Sequence, residues 1–168
     1  MGQTTFSGPV RSLAGFISGP DSVVPITTAV VALSAADYGG RQLFVNYAGV
    51  GGILTLPLII PTGPDANIGL NYDIVFATTV NAGGYKIKAF TDVPGDVFIG
   101  QVQTTAGGGS PTTFVPNGTT NDVINLNGTT QGGALNSRLT IKAVAANKWL
   151  VTGLLIGVPA FITPFANA

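Results

Sequence analysis

Residues 71–77 read Asn-Tyr-Asp-Ile-Val-Phe-Ala, and their pattern decides the fold class. Tyr72, Ile74 and Phe76 fall on one side of an extended chain, and Asn71 and Asp73 fall on the other. Successive side chains of a strand point to opposite faces, whereas a helix repeats every 3.6 residues. The same period of two recurs elsewhere. In 41–47, Leu43, Val45 and Tyr47 oppose Gln42 and Asn46; in 85–90, Tyr85, Ile87 and Ala89 oppose Lys86 and Lys88. In 138–143, Leu139, Ile141 and Ala143 oppose Arg138, Thr140 and Lys142. Each run predicts a strand with one buried and one wetted face.

Turn formers separate these runs: Asp37-Tyr38-Gly39-Gly40, Gly51-Gly52, Pro61 to Asp65, Asn81 to Gly84, Pro94-Gly95-Asp96, Asn117-Gly118, Asn127-Gly128 and Asn147-Lys148. Gly and Asn accept the positive φ of tight turns, and Pro presets a turn corner. The uninterrupted apolar runs Ile53–Ile60 and Leu150–Ile156 predict strands covered on both faces, by sheet packing or by another subunit. The expectation is an all-β domain, a jelly-roll-like sandwich or barrel of about eight strands without a helix. The glycine-rich stretch 104–121 is expected to be a mobile loop.

The ends differ from the middle. Residues 1–25 carry Gly8-Pro9, Gly19-Pro20 and Pro25 among scattered apolar side chains and read as an extended N-terminal arm. Residues 26–157 form the β-sandwich domain, and residues 158–168, with Pro159, Phe161, Pro164 and Phe165, form a similar C-terminal tail. Apolar arms cost solubility unless they dock.

Composition narrows the function. The chain of 168 residues has no histidine, no cysteine and no glutamate. Its carboxylates are Asp21, Asp37, Asp65, Asp73, Asp92, Asp96 and Asp122; its cations are Arg11, Arg41, Lys86, Lys88, Arg138, Lys142 and Lys148. Ser-His-Asp and Cys-His sites are therefore excluded, and the usual proton-transfer groups and thiolate or imidazole metal ligands are missing. No enzyme activity and no cofactor are expected. Net charge is zero and only 8% of residues are charged, so neither nucleic acid nor an anionic membrane has a footprint here. Prolines and glycines interrupt the uncharged stretches 42–64 and 149–168, so no spanning helix is expected. The first ten residues lack a basic region and a long apolar run, so a secretory leader is not expected either. A neutral, charge-poor surface favours self-association.

Three local features have a functional and a structural reading. Asp92 and Asp96 could offer oxygen ligands to Ca²⁺, which needs six to eight of them; a turn is the simpler role. Trp149 could stack on a sugar, but it opens an alternating strand and reads as a core or interface residue. Asn117-Gly118-Thr119 and Asn127-Gly128-Thr129 match the glycosylation sequon, and both read as Asn-Gly hairpin turns.

The strings Leu33-Ser34-Ala35-Ala36-Asp37-Tyr38-Gly39-Gly40, Leu54-Thr55-Leu56-Pro57 and Gly69-Leu70-Asn71-Tyr72-Asp73-Ile74-Val75 resemble a pattern found in β-rich virion proteins of tailed bacteriophages. Asp96 to Gly100 and Trp149 to Gly153 continue it, and Phe6-Ser7-Gly8-Pro9-Val10 is similar to the start of small phage structural proteins. The resemblance spans about residues 30–155 and implies a capsid decoration, or cement, protein. Such a protein is a homotrimer of β domains on the virion surface, bound non-covalently to the major capsid protein. A tail, neck or fibre protein is the alternative, followed by a carbohydrate-binding module. With little charge to offer, attachment is expected to be apolar and backbone-mediated, through the N-terminal arm; the candidate capsid-binding residues are Phe6, Pro9, Val10, Arg11, Leu13 and Phe16.

Overall fold

A computed structural model describes residues 22–90, 95–107 and 109–168. Twelve strands and one helical turn follow in the order β1 Val23–Ile26, β2 Val30–Ala32, α1 Ala35–Tyr38, β3 Gln42–Val45, β4 Gly52–Thr55, β5 Asn71–Phe76, β6 Tyr85–Lys88, β7 Val97–Thr105, β8 Thr112–Phe114, β9 Val123–Leu126, β10 Arg138–Ala145, β11 Lys148–Ile156 and β12 Phe165–Ala166. They make two sheets. The larger, sheet A, runs β1-β3-β5-β10-β11-β7-β8, and sheet B runs β12-β9-β6-β4-β2. The protein is an all-β two-sheet sandwich.

Its connectivity is set by the first six strands, which alternate between the sheets. β1, β3 and β5 pair in parallel in sheet A, while β2, β4 and β6 pair in parallel in sheet B. Parallel neighbours need a crossover, and here each crossover is a strand of the opposite sheet. The chain thus winds through three flattened coils before β9 and β10 add antiparallel partners to β6 and β5. The parallel pair β7–β11 makes sheet A mixed as well. The jelly-roll detail is not confirmed, because that architecture is built from antiparallel Greek keys.

The alternating runs behave as their chemistry dictates. Tyr72, Ile74, Phe76, Leu139, Ile141, Ala143, Tyr85, Ile87, Leu43 and Val45 all point into the space between the sheets and are buried. Trp149, Phe98, Leu54, Leu56, Ile124 and Leu126 join them in one continuous core. The Phe76 and Tyr85 rings meet edge to face across that core at 5.6 Å, a favoured aromatic geometry. Each buried aliphatic or aromatic side chain contributes about 1.5–3 kcal/mol, and this core offsets the entropy of ordering so many glycines.

Several expectations need correction. The described residues form twelve strands rather than about eight, in part because β2, β8 and β12 are too short to show alternation. One helical turn exists: the Ser34 hydroxyl oxygen accepts from the Asp37 amide at 3.0 Å and donates to the Asp37 carboxylate at 2.7 Å, capping α1. This reciprocal arrangement satisfies amides that a helix start leaves free. The run Ile53–Ile60 is not one doubly buried strand. β4 stops at Thr55, and beyond Pro57 the backbone amides turn to side chains instead, Ile59 to Asp96 at 2.9 Å and Ile60 to Asn67 at 2.8 Å. Leu150–Ile156 does lie within β11, yet Leu154 is 42% exposed, so the outer face of this strand is open.

Stretch 104–121 holds β8, which closes a hairpin on β7. β1, Val23–Ile26, lies partly inside the stretch assigned to the arm. Within the C-terminal tail, β12 pairs with β9 and Phe165 is buried in the core. That docking leaves Phe165 unable to serve as an external anchor.

Gly100 shows how tightly β7 and β11 fit. It sits at φ 101°, and a Cβ there would run into the backbone carbonyl of Val151. Only glycine adopts that conformation freely. Gly100→Ala is therefore expected to cost at least ~1–3 kcal/mol from backbone strain alone, with the collision added. Urea unfolding followed by circular dichroism measures this; a loss below ~0.5 kcal/mol would contradict the close approach.

Candidate interaction site

The candidate anchors Phe6, Pro9, Val10, Arg11, Leu13 and Phe16 lie outside the described residues, as does Asp92. What the structure places is the end of the sandwich that they lead into. The chain reaches β1 through Ser22, and β1 and β2 are the outermost strands of sheets A and B at that end.

The two edges differ. In β1, the Ile26 carbonyl accepts from the amide of Asn46, the residue after β3. Backbone groups alternate in direction along a parallel strand, so Val24 and Ile26 face β3 while Val23 and Pro25 face outward. Pro25 has no amide hydrogen and blunts this edge. In β2, the Ala29 carbonyl accepts from the Ile53 amide and the Leu33 amide donates to Thr55. Val30 and Ala32 consequently aim their amides and carbonyls away from β4. Among the described residues no proline or charge guards this edge, and Val30 is 65% exposed.

On the outer face of sheet A, strand register brings Pro25, Phe44, Val75, Arg138 and Leu154 into one row. Phe44, Leu154 and Val23 are exposed large apolar residues. Beside the row, Arg138 donates to both Asp73 oxygens, Nε to Oδ1 at 3.0 Å and Nη2 to Oδ2 at 2.6 Å, and the Gln42 amide reaches Oδ2 at 3.4 Å. This is the one ion pair among the described residues. It lies across β3, β5 and β10 in solvent, where screening weakens it. On the outer face of sheet B, Val30, Ile53, Lys86 and Asn125 form the corresponding row.

Inside, Trp149 is fully buried against Tyr72, ring centroids 6.1 Å apart, and its Nε1 donates to Asp96 Oδ2 at 3.3 Å. It is a core residue and offers no platform to a sugar. Asp96 is fully buried too, and burial raises its pKa above the ordinary carboxyl value; the Ile59 and Trp149 hydrogen bonds oppose that rise. Burial likewise raises the Tyr72 and Tyr85 phenols. Sequence reasoning saw a turn residue at Asp96 and missed its long-range partner, as well as the Asp73–Arg138 pair. Among the described residues no group of three or more carboxylate, histidine or cysteine side chains gathers as a metal site, and no pocket opens.

Both sequon asparagines are spent within their own turns. Asn117 Oδ1 accepts from the amides of Thr119, Thr120 and Asn121, and its Nδ2 donates to Thr120 at 2.7 Å. Asn127 repeats the pattern with the amides of Thr129 and Gln131 and with Thr130 Oγ1. Gly118 and Gly128 take positive φ as expected. Neither turn is a hairpin: each carries the chain from one sheet to the other, before and after β9.

Comparison of the chain with protein-family models, with curated proteins and with solved structures found no match in any of the three.

Proposed function

We propose that this chain is a structural virion protein that decorates and stabilises a bacteriophage capsid by non-covalent binding to the major capsid protein. The observation that carries the reading is the N-terminal end of the sandwich, where the chain enters β1 and where, among the described residues, Val30 and Ala32 of β2 aim their backbone groups away from β4 with no strand beyond them, Val30 itself being exposed. An edge of this kind pairs with an added strand, giving affinity through main-chain hydrogen bonds. The low charge and the apolar anchors of the arm support attachment without ion pairs, and the resemblance to phage virion proteins supplies the shell as the partner. Self-association into a homotrimer fits the neutral surface and the outer row in which exposed Phe44 and Leu154 flank half-buried Val75. The role is mechanical and non-catalytic.

Two measurements test the reading. Sedimentation equilibrium is expected to give three times the 17.0 kDa chain mass; a stable monomer at micromolar concentration contradicts the trimer. Co-sedimentation with undecorated capsids is expected to saturate and to persist in 1 M salt, where the screening length falls to about 3 Å. Deletion of residues 2–17 is expected to abolish it, and full decoration by the truncated chain would refute the arm as anchor. A tail, neck or fibre component is the second reading, favoured by the parallel winding of β1 to β6, which suits lengthwise extension. Antibody labelling of virions in negative stain separates head from tail.

A further inference from the structure

We propose that residues 161–168 are exchanged between copies of this chain, so that β12 of one protomer completes sheet B of the next. The exchange rests on the self-association proposed above and does not depend on the capsid.

The segment after β11 divides its contacts unevenly. Pro164 and Phe165 are buried, and the Pro164 carbonyl accepts from the Asn125 amide at 2.7 Å. The Ala166 carbonyl accepts from the Asp122 amide at 3.1 Å, and Asp122 Oδ1 accepts from the Ala168 amide at 2.7 Å. The connector that leads to them, residues 158–163, is held more loosely. The Val158 and Ile162 amides donate to the carbonyls of Thr129 and Thr130 at 3.2 and 3.1 Å, and Gln131 Nε2 donates to the Thr163 carbonyl at 3.2 Å. These bonds lie at the long end of the ordinary range, on largely exposed residues where water competes for them. Binding strength therefore sits in β12 and its anchor Phe165.

The connector is also strained and apolar. Among the described residues, Ala160 is the only one besides glycine and asparagine with a left-handed backbone, at φ 73°. Asparagine eases that conformation with local hydrogen bonds, whereas alanine has only a Cβ that clashes. Val158 and Ile162 are each 53% exposed. Residues 149–168 carry no charge, so no repulsion keeps two copies of the segment apart. When the connector swings out, Ala160 relaxes, Val158 and Ile162 face a neighbour instead of water, and β12 re-forms its contacts on the neighbour's β9. The vacated β9 presents the Asp122 and Asn125 amides as an edge, which the neighbour's β12 fills in turn. A strained hinge beside an intact anchor is the condition that favours such exchange.

Magnitudes place the decision at the hinge. A short tether keeps β12 near its own β9 at about millimolar effective concentration, roughly a thousandfold above micromolar chains. Relief at Ala160 recovers roughly 5- to 150-fold. Covering the exposed halves of Val158 and Ile162 recovers about fivefold or more apiece. The two forms are thus close, and the residue at position 160 tips the balance.

The chain has no cysteine, so an introduced pair reports cleanly. Val123 and Ala166 are register partners on β9 and β12. The full-length double variant V123C/A166C is oxidised at micromolar concentration and run on a denaturing gel without reductant, beside each single variant. Covalent multimers, chiefly of three chains, are expected in the double variant and not in the single ones. Adding A160G is expected to lower the multimer by roughly tenfold or more, because glycine relaxes the closed turn. Adding A160P is expected to leave almost no intrachain product, because proline fixes φ near −65° and cannot make that turn. Should the double variant fail to fold, sedimentation equilibrium of A160G and A160P without cysteines gives the same answer: weaker association for the first, tighter for the second.

An intrachain link alone, in a chain that still sediments as a trimer, overturns the exchange and leaves the trimer standing. An intrachain link in a monomer overturns both. Covalent pairs in place of threes sustain the exchange and refute the trimer. Equal association of wild type, A160G and A160P removes the hinge from the account, and the exchange falls with it.

Discussion

Replacing Trp149 by alanine is expected to destabilise the sandwich more than any other single truncation of its core. Trp149 is the largest fully buried side chain. It stands in register with Phe98 on β7 and Ala143 on β10, at the centre of sheet A, and stacks on Tyr72 from β5. Truncation of a buried tryptophan costs about 3–5 kcal/mol because apolar contacts vanish and the rigid sheet cannot close the cavity. The loss is compounded at Asp96, whose Oδ2 forfeits its Nε1–H donor while Oδ1 already has no partner. For a domain of this size each kcal/mol moves the melting temperature by about 2–4 °C, so a drop on the order of 10 °C is expected. Thermal unfolding followed by far-ultraviolet circular dichroism reads it out, since the variant has no tryptophan to report by fluorescence. Trp149→Phe keeps most of the ring and loses only the donor, so it should fall between wild type and Trp149→Ala. A loss under ~1 kcal/mol for the alanine variant would mean that the indole is not held as described.

The contrast between Trp149 and its partner shows how far this fold can be read from the chain. Tyr72, Ile74 and Phe76 were legible because burial on one face writes itself into a period of two, and the same holds for Leu139, Ile141 and Ala143. Val30–Ala32 and Thr112–Phe114 were not, because three residues are too few to establish a period. Ile53–Ile60 misled for a different reason. Its hydrophobicity is real, but Pro57 ends the ladder and distant side chains, Asn67 and Asp96, take over the amides. Strand order was illegible altogether: nothing in Val24 says that it will lie parallel to Leu43 in sheet A while Val31 crosses to Leu54 in sheet B. Pairing depends on which loop closures and faces are mutually compatible, which is a property of the assembled sheets. The candidate site divides the same way. The apolar side chains of residues 1–21 are visible in composition, whereas the outward-facing backbone groups of β2 exist only once the coils are wound.

Asp96 is the residue for which local reading was least adequate, and it supplies the second large effect. The sequence Pro94-Gly95-Asp96 signals a turn, yet the carboxylate is buried, fixed by the Ile59 amide at 2.9 Å and by Trp149 at 3.3 Å. Removing a carboxylate from water disfavours its charged form, and here desolvation outweighs the two hydrogen bonds, so the folded-state pKa is raised from 3.8. Between the unfolded value and the raised folded value the native protein holds more protons than the unfolded chain. Stability therefore falls as pH rises through that window. The contribution of Asp96 is complete below 3.8 and is lost once pH has passed its folded value. Asp96→Asn keeps an acceptor oxygen for the two donors and carries no charge to bury. The difference in unfolding free energy, wild type minus Asp96→Asn, is expected to become more negative as pH rises from 3.8 and to level off once pH has passed the raised folded value. Asp96→Ala behaves in the opposite sense at pH 7, because it orphans two buried donors at about 1–3 kcal/mol each. Urea titrations of the three proteins at intervals from pH 3 to pH 8 decide the matter. A difference curve that stays flat, or that rises with pH, would show that Asp96 ionises as readily in the fold as outside it and that its burial is not what governs its charge.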